Sequence, residues 1–315
     1  MRTPVPLPAA LADRAFTIRE AAELGISRRM LRHPRFTEIH PAVDRRSDLV
    51  LDRRGAIEAA RLSLPPDAAA SHTTRLELAG LSIGPPGLHF TIGRDLHLEL
   101  EGIALHRTVR MPPTGRSGVS AAAAFIQSAT LLKPVELIAA GDWLVRHRRM
   151  TEAQVRSLAA RDPWRPGTVA ALAVLPQLRP DARSVPESEV RVAVVAAGLE
   201  VPEINTDIAV GGQFLACGDL VYRRWRLVLE YEGRQHAESP QQFARDIVRY
   251  ADLRSAGWEY LQITAAMLAR PRALVTRIHQ LLVSRGYDGP PPVFGAAFRS
   301  LYVRPLPPGG AQRTV

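Results

Sequence analysis

Lysine is almost absent from this chain: Lys133 stands alone among 41 lysines and arginines. A catalytic lysine is thereby nearly excluded, and the positive charge is carried by arginine. Biased codon content explains the choice of base; the charge itself still acts. Cysteine is as scarce. Cys217 alone excludes an intramolecular disulfide and any cysteine-based zinc site. It sits on a predicted strand just before Asp219, where a buried free thiol is the simpler reading than a nucleophile. Long apolar runs are missing too. The best, from Val135 to Val145, is interrupted by Asp142 and falls short of membrane-spanning length. Residues 1–16 carry prolines and then Asp13 and Arg14, unlike a secretory signal. A cytoplasmic location with no membrane partner is the expectation.

What is present is room and positive charge. A chain of 315 residues, 46% hydrophobic, can bury two or three cores. A net charge of +10 favours a polyanionic partner.

The first organised segment runs from Phe16 to Ala42. Thr17 with Glu20 three residues on forms a capping box for a short helix through Leu24, and Gly25 ends it. Ser27 caps a second helix through Leu31 or Arg32, stopped by Pro34. Two short helices around a glycine suggest a helix-turn-helix, with Phe36 to Val43 as a small wing strand. Arg28, Arg29 and Arg32 on the second helix would then meet phosphates and base edges of DNA. The alternative is a helical pair with a solvated arginine face.

The middle of the chain mixes helices and strands. Helices are predicted at 52–62, 71–81, 120–130, 134–146, 151–160 and 167–175, and strands at 88–92 and 96–106. His89, His97 and His106 fall on the latter strands, but their spacing matches no metal motif and surface histidines are the expectation. After a linker at 179–183, the order is a helix from Ser184 to Ala197, strands at 203–210, 215–221 and 226–231, a helix at 240–256, a strand at 258–263 and a helix at 271–285. The linker marks this part as a domain expected to fold independently. On the third helix-turn of the 240–256 segment, Asp246 and Arg249 read as a surface pair.

The hairpin from Asp219 to Glu232 organises the rest. With its turn centred on Arg223-Arg224, Asp219 pairs with Val228, and side chains alternate along each strand. Asp219, Glu230 and Glu232 then project to one side, with Glu230 a diagonal step from Asp219, roughly 7–8 Å away. Like charges at the end of a buried strand repel unless a cation or a proton intervenes.

Two resemblances follow from these residues. Phe16-Thr17-Ile18-Arg19, Ala21, Leu24-Gly25-Ile26-Ser27, Leu31-Arg32 and Phe36 to His40 resemble the N-terminal winged-helix domain of AbiEi-type antitoxins from type IV toxin–antitoxin systems. The later motifs are Glu187-Ser188 with Arg191, Asp219-Leu220, Glu230-Tyr231-Glu232-Gly233 with His236, Arg245-Asp246 and Gly257-Trp258. In the αβββαβ order, they resemble the PD-(D/E)XK restriction-endonuclease-like superfamily. More narrowly, they are similar to an uncharacterised bacterial domain related to the very-short-patch mismatch-repair endonuclease. The whole chain resembles actinobacterial proteins that join these two parts. The resemblance implies a multi-domain α/β chain: a winged helix-turn-helix at 1–50, a mixed connecting region at 51–180, an endonuclease-like domain at 181–288 and a Pro/Gly-rich tail at 289–315. It implies hydrolysis of DNA phosphodiesters assisted by Mg²⁺ or Mn²⁺. Asp219 would be the central ligand, Glu230 a second, Glu187 a third from the preceding helix, and Glu232 or His236 would move protons. The superfamily usually carries lysine where this chain has Glu232; the mismatch-repair branch also lacks it. A regulator with a silent nuclease fold, or a partner of a cognate toxin, is the alternative class.

Overall fold

The computed structural model describes residues 7–232 and 249–305. The chain is mixed α/β and divides into two compact units, Met1–Ala124 and Phe125–Val315. The boundaries expected at 50 and 180 therefore fall inside these units. Among the described residues, no helix is long and apolar enough to cross a membrane.

In the first unit, helix Ile18–Glu23 opens with the expected capping box between Thr17 and Glu20. The helix Arg28–Leu31 follows, and its Met30 N–H donates to Ser27 Oγ. Gly25, at φ 81°, makes the left-handed turn between them. Strands Phe36–His40 and Val43–Arg46 form an antiparallel hairpin, and Phe16–Thr17 adds to Val43–Arg46 as a third strand. Leu11, Phe16, Ala21, Ile26, Leu31 and Phe36 close the core beneath them.

The remainder of that unit is built on Leu88–Ile92, buried along its whole length. It pairs antiparallel with Ala69–Ala70 and parallel with Ile103–Arg107. The strand expected at 96–106 is thus only Ile103–Arg107. Gly102, at φ 72°, reverses the chain just before it, so the alternation of His97, Glu99 and Glu101 belongs to a loop surface. Helix Arg53–Leu62, capped by Asp52, and helix His72–Ala79, ended by Gly80 at φ 106°, match expectation.

The second unit holds a four-stranded sheet. Glu203–Val210, Gln213–Tyr222 and Leu227–Tyr231 form an antiparallel meander, and Glu259–Ile263 lies parallel to the third strand. On one face, Leu220, Tyr222, Leu227, Leu229, Leu261 and Ile263 pack on Val190 and Val194 of helix Val185–Ala196 and on Leu274 and Ile278 of helix Pro271–Ser284. On the other, Val221 and Val228 meet Ile208, Leu253 and Trp258.

Helix Pro134–Arg146 belongs to this unit rather than to a connector. Its Asp142, 1% exposed, is ion-paired with Arg191 of helix Val185–Ala196 at 2.8 Å. Ser188 Oγ donates to the same carboxylate at 2.7 Å, and the Arg179 N–H donates to its other oxygen. A buried charge with this many partners fixes the two helices in one register.

Candidate functional site

The hairpin that carries the acids is longer-turned than the sequence suggested. Arg223–Trp225 forms a 3-10 turn and Arg226 follows at φ 47°, so Tyr222 pairs with Leu227 and Leu220 with Leu229. The register moves by one full pleat. Continued one step, it sets Asp219 opposite Glu230 rather than opposite Val228. A two-residue shift keeps every side chain on its face, so the acids still share the side of Val221 and Val228.

Asp219 and Glu230 lie next to each other just past the last paired residues, Leu220 and Leu229, close enough for the Asp219 charge to raise Glu230. Asp219 Oδ2 accepts the Tyr231 N–H at 3.0 Å. Burial and the nearby charge of Glu187 hold the Asp219 carboxyl above its ordinary value, against the pull of that hydrogen bond. Burial also pushes Glu230 up to about 7; the Arg249 guanidinium opposes this and the Asp219 charge adds to it. Glu230 Oε2 is ion-paired with Arg249, and the Tyr260 hydroxyl stands 3.4 Å from it and 2.8 Å from the Tyr250 hydroxyl. Glu230 Oε1 is buried with no hydrogen-bond partner among the described residues.

Glu187 is close enough for Asp219 to feel its charge, but its Oε2 is already engaged. It accepts the Arg183 N–H and Asn205 Nδ2, each at 2.8 Å. Among the described residues, no three histidine, cysteine or carboxylate side chains are grouped so as to hold a metal ion. The expected trio of Glu187, Asp219 and Glu230 is thus a pair with Glu187 beside it. Glu232 lies past the strand end, exposed, with its N–H donating to the Ile263 carbonyl at 2.9 Å. No hydrogen bond or ion pair joins its side chain to the acid pair among the described residues. His236 lies outside the described residues, as do Arg245 and Asp246. Cys217 is a half-buried free thiol, raised by burial, with Arg183 Nη1 3.7 Å from its sulfur.

Arg249 reaches across to Glu230, while Asp246, its expected partner in a surface pair, lies outside the described residues. Tyr260 was also missed, although its strand carried the signal. Val228 is in register with Tyr260 and Glu230 with Gln262, so alternation alone puts Tyr260 on the acid face.

At the other end of the chain, Arg28, Arg29 and Arg32 are exposed and carry no ion pair among the described residues. They follow one another around the short helix Arg28–Leu31 and its C-cap.

The histidines regroup. His97 is exposed beside Asp95 and Arg107. His72, absent from the expected set, joins His89 and His106 instead. His89 Nδ1 lies 3.0 Å from His106 Nε2, and the His72 ring stacks on His106 at 3.9 Å between centroids. His72 and His89 are buried rather than surface histidines. Parallel pairing explains the meeting: Thr91 faces His106 and His89 faces Ala104, which puts both rings on one side of the sheet. Burial holds all three imidazoles below their ordinary value, His106 at about 4. The charges nearest His89 are the mutually ion-paired Arg53 and Glu77, which pull it in opposite directions. A depressed histidine stabilises the fold above its ordinary value of 6.5, and that contribution is lost as pH falls towards about 4. The loss expected for His106 is on the order of 3 kcal/mol. His106→Gln should shrink the fall in stability between those pH values, read as protection of the Leu88–Ile92 amides from hydrogen exchange. An unchanged acid profile in this variant would refute the assignment.

No family model matches the chain. Two curated relatives are similar to it, uncharacterised proteins of Mycobacterium tuberculosis strains CDC 1551 / Oshkosh and ATCC 25618 / H37Rv. Each is 29% identical over 196 residues, which is 61% of this chain and 70% of the relative.

Proposed function

We propose that the protein binds DNA through its N-terminal helical pair and hydrolyses phosphodiesters at the acid pair of its C-terminal sheet. The observation that carries this reading is the closeness of Asp219 to Glu230, near enough for one charge to raise the other, with Glu230 Oε1 buried and without a hydrogen-bond partner among the described residues. Both carboxylates are raised by burial and by a neighbouring acid, Glu187 beside Asp219 and Asp219 beside Glu230, and Arg249 is the cation that balances Glu230. Mg²⁺ and Mn²⁺ suit such a donor set, since Mg²⁺ uses one or two carboxylates and fills its shell with water and substrate phosphate. Asp219 and Glu230 would hold the ion, and Glu187 would add charge from beside it. When bound, the ion supplies an acidified water and shields the phosphoryl oxygens. The sheet meander followed by a parallel strand, flanked by helices Val185–Ala196 and Pro271–Ser284, supports a restriction-endonuclease-like reading of this unit. Helices Ile18–Glu23 and Arg28–Leu31 with their hairpin support a winged-helix reading of residues 1–50.

Incubation with mixed single- and double-stranded DNA, with and without Mg²⁺ or Mn²⁺, tests the activity. Metal-dependent cleavage lost in Asp219→Asn is the supporting result; no cleavage of any substrate counts against it. The engagement of Glu187 by Arg183 and Asn205 favours a second reading, a transcriptional regulator or antitoxin-like partner of a toxin in which the fold is silent.

The hydrolase and the regulator readings both require DNA binding by the exposed arginines. Replacing Arg28, Arg29 and Arg32 together by alanine should weaken duplex binding and lower the salt slope by roughly one unit per lost phosphate contact. Unchanged affinity and salt dependence in a fluorescence-anisotropy titration would remove the N-terminal part of the proposal.

A further inference from the structure

Resting on the nuclease reading above, we infer that Arg249 is an exchangeable counter-ion that couples DNA binding to cation binding. In the free protein its guanidinium neutralises Glu230. On DNA it moves to a backbone phosphate, and the acid pair becomes open to a divalent cation.

Three observations carry this. The first is competition. Arg249 is paired with Glu230 Oε2, an oxygen that a cation between Asp219 and Glu230 would also claim. A guanidinium and a divalent cation in the same place repel each other, so the pair holds one at a time. The second is unequal access. The Glu230 side chain is 10% exposed, whereas that of Arg249 is 31% exposed. The carboxylate stays in the sheet, and the guanidinium is the partner that an incoming anion can reach. Its planar fork of donors matches a phosphate as well as a carboxylate, so the exchange trades one charge-assisted pair for another.

The third is what stays fixed. Arg249 starts the described part of a helical segment at 249–255, and Leu253 of that segment is buried against Val228 and Trp258. The backbone is thereby anchored, and only the side chain has to move. The Tyr260 hydroxyl remains within 3.4 Å of Glu230 Oε2 to hold the carboxylate when the guanidinium leaves.

The test titrates Mn²⁺ into the full chain, alone and with a short DNA duplex, reading free Mn²⁺ by its electron spin resonance signal. This readout does not depend on cleavage. Wild type should bind Mn²⁺ at least about fivefold tighter with the duplex than without it. Arg249→Gln should bind Mn²⁺ tighter than wild type when DNA is absent, and the benefit of the duplex should shrink. Thermal melts establish that the variant is folded. If Arg249→Gln does not fold, Arg249→Lys decides: charge without the fork should give a Mn²⁺ affinity above wild type without DNA, and equality with wild type overturns the inference. Equal Mn²⁺ binding by wild type and Arg249→Gln without DNA overturns the inference and leaves the nuclease reading standing. No Mn²⁺ binding by either protein, with or without DNA, overturns both.

Discussion

Replacing Arg191 by methionine should destabilise the C-terminal unit by about 3–5 kcal/mol at neutral pH. The guanidinium is buried beside Asp142, itself 1% exposed, and its loss strands a carboxylate that has no route to water. The Ser188 hydroxyl and the Arg179 N–H remain as partners, but neither carries charge. Burial already holds the Asp142 carboxyl above its ordinary value, with Arg191 the largest opposing influence. Without Arg191 the value rises further. A raised carboxyl favours the fold below its unfolded value and loses that contribution as pH rises through the folded value. The deficit of Arg191→Met should therefore be smaller in mild acid and grow towards pH 8. Asp142→Asn combined with Arg191→Met should recover most of the loss, because asparagine can accept the Arg179 N–H and donate to Ser188 without a charge to bury. All four tryptophans, Trp143, Trp164, Trp225 and Trp258, lie in this unit, so tryptophan fluorescence during urea unfolding reads it alone. A single variant within about 1 kcal/mol of wild type would show that the pair does not carry the packing of these helices. The same argument bears on where the chain can be cut. A chain starting at 181 keeps Arg191 and loses Asp142, so it should unfold with little cooperativity, whereas one starting at 125 keeps the pair.

That difference shows which parts of the structure were legible in the sequence. Thr17 with Glu20, Ser27 and Ser184 announced their helices because a cap bonds to an N–H only two or three residues away. Strand Glu203–Val210 and helix Pro134–Arg146 stand where their periodicity placed them. The face shared by Asp219 and Glu230 was legible too, since alternation survives a shift of two residues. The shift itself was not. It depends on a 3-10 turn closed by Arg226 in the left-handed region, and arginine gives no warning of a positive φ. Partners distant in the chain were invisible for a different reason. Asp142 and Arg191 are 49 residues apart, and Glu230 and Arg249 are 19 apart. Pairing at such separations is decided by how helices lie on a sheet, not by local pattern. His72 illustrates both causes: it starts its helix at φ 49° and meets rings from two separate strands.

Asp219→Asn is expected to separate an enzyme from a silent fold. In wild type, a cation between Asp219 and Glu230 stabilises the folded state by mass action, by about 2.7 kcal/mol at a hundred times its dissociation constant. Mg²⁺ or Mn²⁺ should thus raise the melting temperature of wild type, and Asp219→Asn should lose most of that rise. Without metal the variant should be no less stable. Asparagine still offers an oxygen to the Tyr231 N–H, and the like-charge contact with Glu230 and Glu187 is gone. The pH dependence should move with it. Glu230 is raised from 4.5 to about 7, so its contribution to the fold is complete below the lower value and lost as pH rises through the higher. Removing the Asp219 charge lowers that upper limit, and the metal-free variant should hold its stability better above neutrality. Glu230→Gln should follow the same pattern more weakly in the metal-dependent shift. Both changes should abolish metal-dependent cleavage while duplex binding through Arg28, Arg29 and Arg32 continues. Calorimetry that finds no Mg²⁺ or Mn²⁺ binding to wild type, with or without DNA, would sink the hydrolase reading. The DNA-binding arginines would then stand as the working part of a regulator.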